Sequence, residues 1–151
     1  MNKEASFTVP GMVKGKGRPR MTKTGHTYTP KDTVLYENLV RTSFHASYPD
    51  WTPLEDEIVV WIDVFYQTPK SFSKKKRTLV DAGKMFPTTK PDCDNIAKSI
   101  LDSLNGIAYR DDAQVVLLIV SKKYSDIPRT EVILHEYNAD EEPKTSPRKG
   151  R

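Results

Sequence analysis

The sequence predicts an α/β (α+β) fold in which a small β-sheet packs against a few helices. Three observations carry that prediction. Ile58–Tyr66 is apolar on both faces, with Ile58, Val60, Ile62 and Val64 on one and Val59, Trp61 and Phe65 on the other, as in a central strand. Two segments, Thr29–Ala46 and Asp94–Asn105, repeat at the helical period. Two further apolar runs, Val115–Val120 and Thr130–His135, supply strands to pair with the first. With 151 residues, 36% hydrophobic and 29% charged, the chain is the size of one domain with its own core.

Along the chain, Ser6–Val9 reads as a short strand stopped by Pro10 and Gly11, and a glycine-rich basic loop follows. At Thr29-Pro30-Lys31-Asp32, Thr29 is expected to cap a helix, with Pro30 at its first position. Tyr36, Val40 and Phe44 recur every four residues, and Leu35 with Leu39 forms a second stripe, so this helix is expected to lie on the sheet. Tyr48–Pro53 is a connection. After the central strand, Thr68–Ser73 breaks the pattern, and Phe72 or Ser73 opens a short basic helix toward Val80. Gly83–Lys90 is a loop, and Asn105-Gly106 ends the second long helix because glycine adopts the left-handed conformation readily. Beyond Tyr137 only Ala139 is apolar, which predicts a domain over 1–137 and a polar, disordered tail over 138–151.

Several classes are disfavoured. No apolar run approaches the roughly 20 residues of a membrane helix, and the N-terminus lacks the apolar segment of a secretory signal, so a cytoplasmic protein without a membrane partner is expected. Cys93, the one cysteine, cannot form an internal disulfide. With it, His26, His45 and His135 lack zinc-ligand spacing. Residues 11–17 lack the P-loop spacing, so no nucleotide cofactor is expected. The formal charge of +4 is concentrated in two acid-free stretches. One holds Lys14, Lys16, Arg18, Arg20 and Lys23, the other Lys70, Lys74, Lys75, Lys76 and Arg77. Such loops either keep a protein soluble or neutralise nucleic-acid phosphates.

Chemistry is most legible in KPDCDNIAKSILDSLNGIAYRDDAQV, residues 90–115. On a helix at about 100° per residue, Ile96, Ala97, Ile100, Leu101 and Leu104 make the buried side, while Asp94, Lys98 and Asp102 share a polar stripe. Asp92 precedes the helix, and the return through Tyr109 to Asp111 and Asp112 is expected to bring a third carboxylate beside the first two. Taken singly, Asp92 or Asp94 is a helix cap, Asp111-Asp112 a turn, and Lys98 with Asp102 an ion pair. Taken jointly, facing carboxylates repel and raise one pKa unless a cation or a lysine sits between them, and magnesium fits that need because it favours oxygen ligands and is held by one or two carboxylates with substrate phosphate.

The run KPDCDNIAKSILDSLNG followed by AYRDDAQV closely resembles the RusA family of Holliday-junction resolvases, as do the VPGMVKGKGRPR opening and the YTPKDTVLYE helix start. The resemblance spans roughly residues 6–135. It implies a small mixed β-sheet packed with helices, a homodimer, and magnesium-dependent symmetric cutting of four-way junction DNA in recombination and repair, with manganese as an alternative ion. Carried onto this chain, it assigns Asp92, Asp94 and Asp112 as metal ligands, Asp111 as the reserve third ligand, and Lys98 as the catalytic lysine. Asp102 supports the helix or orients Lys98, and Asn95 belongs to the same motif. Lys14, Lys16, Arg18, Arg20, Lys74, Lys75, Lys76 and Arg77 are the candidate DNA contacts. A metal nuclease of flaps, forks or RNA, and a nucleic-acid-binding module without catalysis, are the competing functions.

Overall fold

The computed structural model describes residues 3–140. Its elements are β1 (Glu4–Pro10), β2 (Arg20–Met21), β3 (Thr27–Tyr28), α1 (Lys31–Ser47), β4 (Ile58–Gln67), α2 (Lys74–Asp81), α3 (Cys93–Leu104), a 3-10 turn at Asp112–Gln114, β5 (Val115–Ser125) and β6 (Arg129–Glu136). Four strands make a mixed sheet in the order β1-β6-β4-β5, and β2 and β3 form a separate ribbon. β4 lies antiparallel to β6 and parallel to β5. The two-sided apolar pattern thus marks an inner strand, and all of β4 except Gln67 is buried.

One face of the sheet and two helices share the core: Val60, Ile62 and Val64 with Tyr36, Val40 and Phe44 of α1 and Ile96, Ile100 and Leu104 of α3. Complete burial of such a side chain contributes about 1.5–3 kcal/mol. On the opposite face, Asp63 is only 2% exposed; its carboxylate accepts a hydrogen bond from Ser121 Oγ at 2.5 Å and lies 3.7 Å from Lys123 Nζ. Arg129 lies over the Phe65 ring at 4.0 Å. Charged side chains with long apolar stems therefore cover apolar strand surface there.

Three details differ from expectation. α1 is capped one residue late, by Pro30 rather than Thr29: Pro30 is extended, its carbonyl accepts from the Val34 N–H at 3.2 Å, and no side chain caps the helix. Leu35 is exposed, because the buried face of α1 runs through Thr33, Tyr36, Val40 and Phe44 and Leu35 lies about 100° around from Tyr36. β5 continues past Val120 to Ser125, since its ladder with β4 persists to the Gln67–Ser125 pair after the side chains turn polar. The tail expected over 138–151 lies outside the described residues from 141 onward.

Candidate active site

The start of α3 is set by Asp92, whose extended backbone stops the preceding loop and whose Oδ1 accepts from the Asn95 N–H at 2.9 Å. A carboxylate here caps orphan amides and favours the positive end of the helix dipole. The entry is held from the sheet: Tyr66 Oη donates to the Pro91 carbonyl at 2.9 Å, and Lys122 Nζ to that of Thr89 at 2.6 Å. Burial, and then the charges of Cys93 and Asp92, push the Tyr66 phenol up to about 12. Asp92, Asp94 and Lys98 are exposed, and Lys98 makes no ion pair among the described residues.

At the other end of α3, the chain turns at Gly106, whose φ of 76° suits glycine. The Asn105 N–H bonds the Asp102 carbonyl at 3.3 Å, while the Leu101 carbonyl accepts from Tyr109 Oη at 2.5 Å. Tyr109 is fully buried. Its phenol is pushed far up by burial and by the charges of Asp112, Asp102 and Asp111. Asn105 Oδ1 accepts from the Asp112 N–H at 3.2 Å, and Asp111 closes a capping box with Gln114. Gln114 Nε2 ties this turn to the Leu54 and Asp56 carbonyls at 2.9 and 2.8 Å.

The Asp111 and Asp112 side chains hydrogen-bond to each other. The Ala113 N–H, and then the bond from Asp112, hold Asp111 below its ordinary value; the bond to Asp111, and then burial and the charges of Asp111 and Asp102, raise Asp112.

The expected convergence of Asp92, Asp94 and Asp112 does not occur within one chain. Asp112 is bonded to Asn105, eleven residues along from Asp94, a rise of about 16 Å. Among the described residues, no three His, Cys, Asp or Glu side chains are placed to hold an ion. The donors are of the right kind for magnesium, but they are divided between the two ends of α3.

Nor does Asp102 pair with Lys98. Lys16 Nζ reaches Asp102 at 3.2 Å and Glu37 at 2.7 Å, so Lys16, expected among the DNA contacts, is committed to carboxylates of its own chain. Burial opposes the Lys16 charge, but the hydrogen bonds and fields of Glu37 and Asp102 outweigh it and raise the pKa. Arg41 extends this network, 3.4 Å from Glu37 and 3.0 Å from the Ser103 carbonyl. Lys74, Lys75, Lys76 and Arg77 lie on α2, which Ser73 caps and which buries no residue.

The profile of the family described as endodeoxyribonuclease RusA matches residues 10–135. The chain belongs to the RusA family. A protein of Bacillus subtilis (strain 168), named uncharacterized protein YqaN, is 38% identical over 138 residues, covering 88% of this chain and 96% of that one. RusA membership makes this chain an endodeoxyribonuclease of the Holliday-junction resolvase type. Around the RusA motif, sequence reasoning missed Glu37, Tyr66, Tyr109 and Gln114 as side chains that hold the candidate residues in place. Glu37 is separated from Lys16 by 21 residues and Tyr66 from Pro91 by 25, so no local spacing announced them.

Proposed function

We propose that the chain is a magnesium-dependent endonuclease that resolves four-way DNA junctions as a homodimer, in recombination and repair. The observation that carries this reading is the division of carboxylates between the two ends of α3, beside the family match. One end offers Asp92 and Asp94 and the other Asp112 with Asp111, so a second copy running the opposite way would supply what each end lacks.

β5 offers the edge for such a copy. It is an outer strand of the sheet. The acidic pair precedes it, apolar Val115–Val120 follow, and Lys122 and Lys123 come near its end. Two such edges paired antiparallel set the acids of each against the lysines of the other. Lys122 is bonded beside the start of α3, so this pairing would carry Asp112 of the partner subunit toward Asp92 and Asp94.

Asp92, Asp94 and Asp112, with Asp111 in reserve, are the residues that would hold magnesium. Bound there, the ion would polarise a phosphodiester oxygen and lower the pKa of a coordinated water. Lys98, exposed one turn beyond Asp94, balances the negative charge that grows on the phosphate and orients the attacking water. Water adds to phosphorus, the bond to one sugar oxygen breaks, and that oxygen takes up a proton.

The test is incision of a mobile four-way junction beside duplex, flap and single-strand controls. Paired cuts in the junction with magnesium, and binding without cutting in calcium, are expected; faster cutting of flaps or duplex overturns the reading. Mixing Asp94→Asn and Asp112→Asn subunits, each inactive alone, should restore single-strand nicking, because one of two shared sites is then intact. No recovery in confirmed heterodimers would place both ligands in one chain.

A further inference from the structure

The cations of the glycine-rich loop separate into two kinds. Lys16 turns inward to Glu37 and Asp102, and its N–H donates to Asn95 Oδ1 at 3.0 Å. Lys14, Arg18 and Arg20 are exposed and make no ion pair among the described residues. These three, with Gly15 and Gly17, line an open cleft of about 390 Å³ against Pro30, Asp32 and Thr33 at the start of α1. Three cations against the one acid, Asp32, leave a surplus of two positive charges on its walls.

The loop that walls the cleft is closely packed at both glycines. A Cβ on Gly15 would come within 2.2 Å of Asn95 Nδ2, and one on Gly17 within 2.6 Å of Thr33 Oγ1, which accepts the Gly17 N–H at 2.9 Å. Val13, at the base of the loop, is buried in the core. Gly15 also lies against Pro91, so one wall of the cleft rests on the residues that lead into α3.

We propose that this cleft is a subsite for a phosphate that is not cut, and that Lys16 and Asn95 are positioning residues holding it in register with α3. A tetrahedral anion suits walls of guanidinium and ammonium groups that make no ion pair among the described residues. That the phosphate belongs to DNA rests on the nuclease reading; that the cleft takes an anion does not.

Two measurements test this. In the first, inorganic phosphate is titrated while the amide resonances of Gly15 and Gly17 are followed by NMR. Saturable shifts are expected, lost in Lys14→Gln/Arg18→Gln/Arg20→Gln; absent shifts, or shifts that persist in that variant, overturn the subsite. In the second, junction affinity is measured in calcium against salt. The same triple variant should lower the log–log slope by about one, the value for one phosphate. Lys16→Met should leave the slope unchanged and slow cleavage at saturating junction, with Lys16→Arg restoring it. A slope that falls in Lys16→Met as in the triple variant makes Lys16 a phosphate contact and refutes its positioning role. Phosphate shifts in a protein that cuts nothing would refute the nuclease and leave the subsite standing, whereas incision with no shift and no slope change would do the reverse.

Discussion

The two ends of α3 carry the same kind of side chain in opposite circumstances. At the start, Asp94 and Lys98 stand exposed, and Asp92 accepts one helix amide. At the far end, Asp102 is paired with Lys16, Asp111 and Asp112 hydrogen-bond to each other, and buried Tyr109 anchors the turn beneath them. At one end the carboxylates stand clear of their neighbours; at the other Asp111 and Asp112 ride on a turn that Asn105, Gln114 and Tyr109 hold in place. The difference teaches that carboxylate count is a poor guide to a metal site: what decides is whether the oxygens are free and whether they meet.

The largest expected effect probes the open end. Asp94→Asn and Lys98→Ala should each cut junction cleavage by about a hundredfold or more while leaving thermal stability and junction affinity in calcium intact. Cleavage at the unmutated rate in either variant breaks the comparison, because the open end would then hold no chemistry. A smaller loss is expected from Lys74→Gln/Lys75→Gln/Lys76→Gln on α2. Since that helix buries nothing, junction binding should weaken and its salt slope fall with no change in thermal midpoint; an unchanged slope would leave those lysines as solubilising charge. The smallest effect belongs to the buried anchor beneath the far end. Tyr109→Phe removes the hydroxyl bonded to the Leu101 carbonyl and should destabilise by about 1–2 kcal/mol, seen as a midpoint lowered by a few degrees. A variant as stable as the parent would show that the turn does not depend on that bond.

Much of this architecture was legible in the residues. The two-sided pattern of Ile58–Tyr66 identified the inner strand, and the spacing of Ile96, Ile100 and Leu104 oriented α3, because burial imposes a period that sequence records directly. Local ties were less certain: Thr29 looked the better cap, yet the Pro30 carbonyl took the role. Least legible were the long-range polar contacts. Lys16 looked like any other lysine of its loop, and only its approach to Glu37 and Asp102 shows that it faces inward. The expected meeting of Asp92 and Asp94 with Asp112 followed from the chain doubling back, but a helix of 12 residues is long enough to keep its two ends apart.

The close approach of Gly15 to Asn95 limits how this region can be altered. A single methyl group there would push against the first turn of α3, so sequence drift at residue 15 would be felt by side chains nearly eighty positions away. Nothing lies within 4 Å of the corresponding position at Gly25, in the turn between β2 and β3, but its φ of 87° would strain any side chain placed there, so that tip suits an inserted epitope beside the glycine and not a substitution of it.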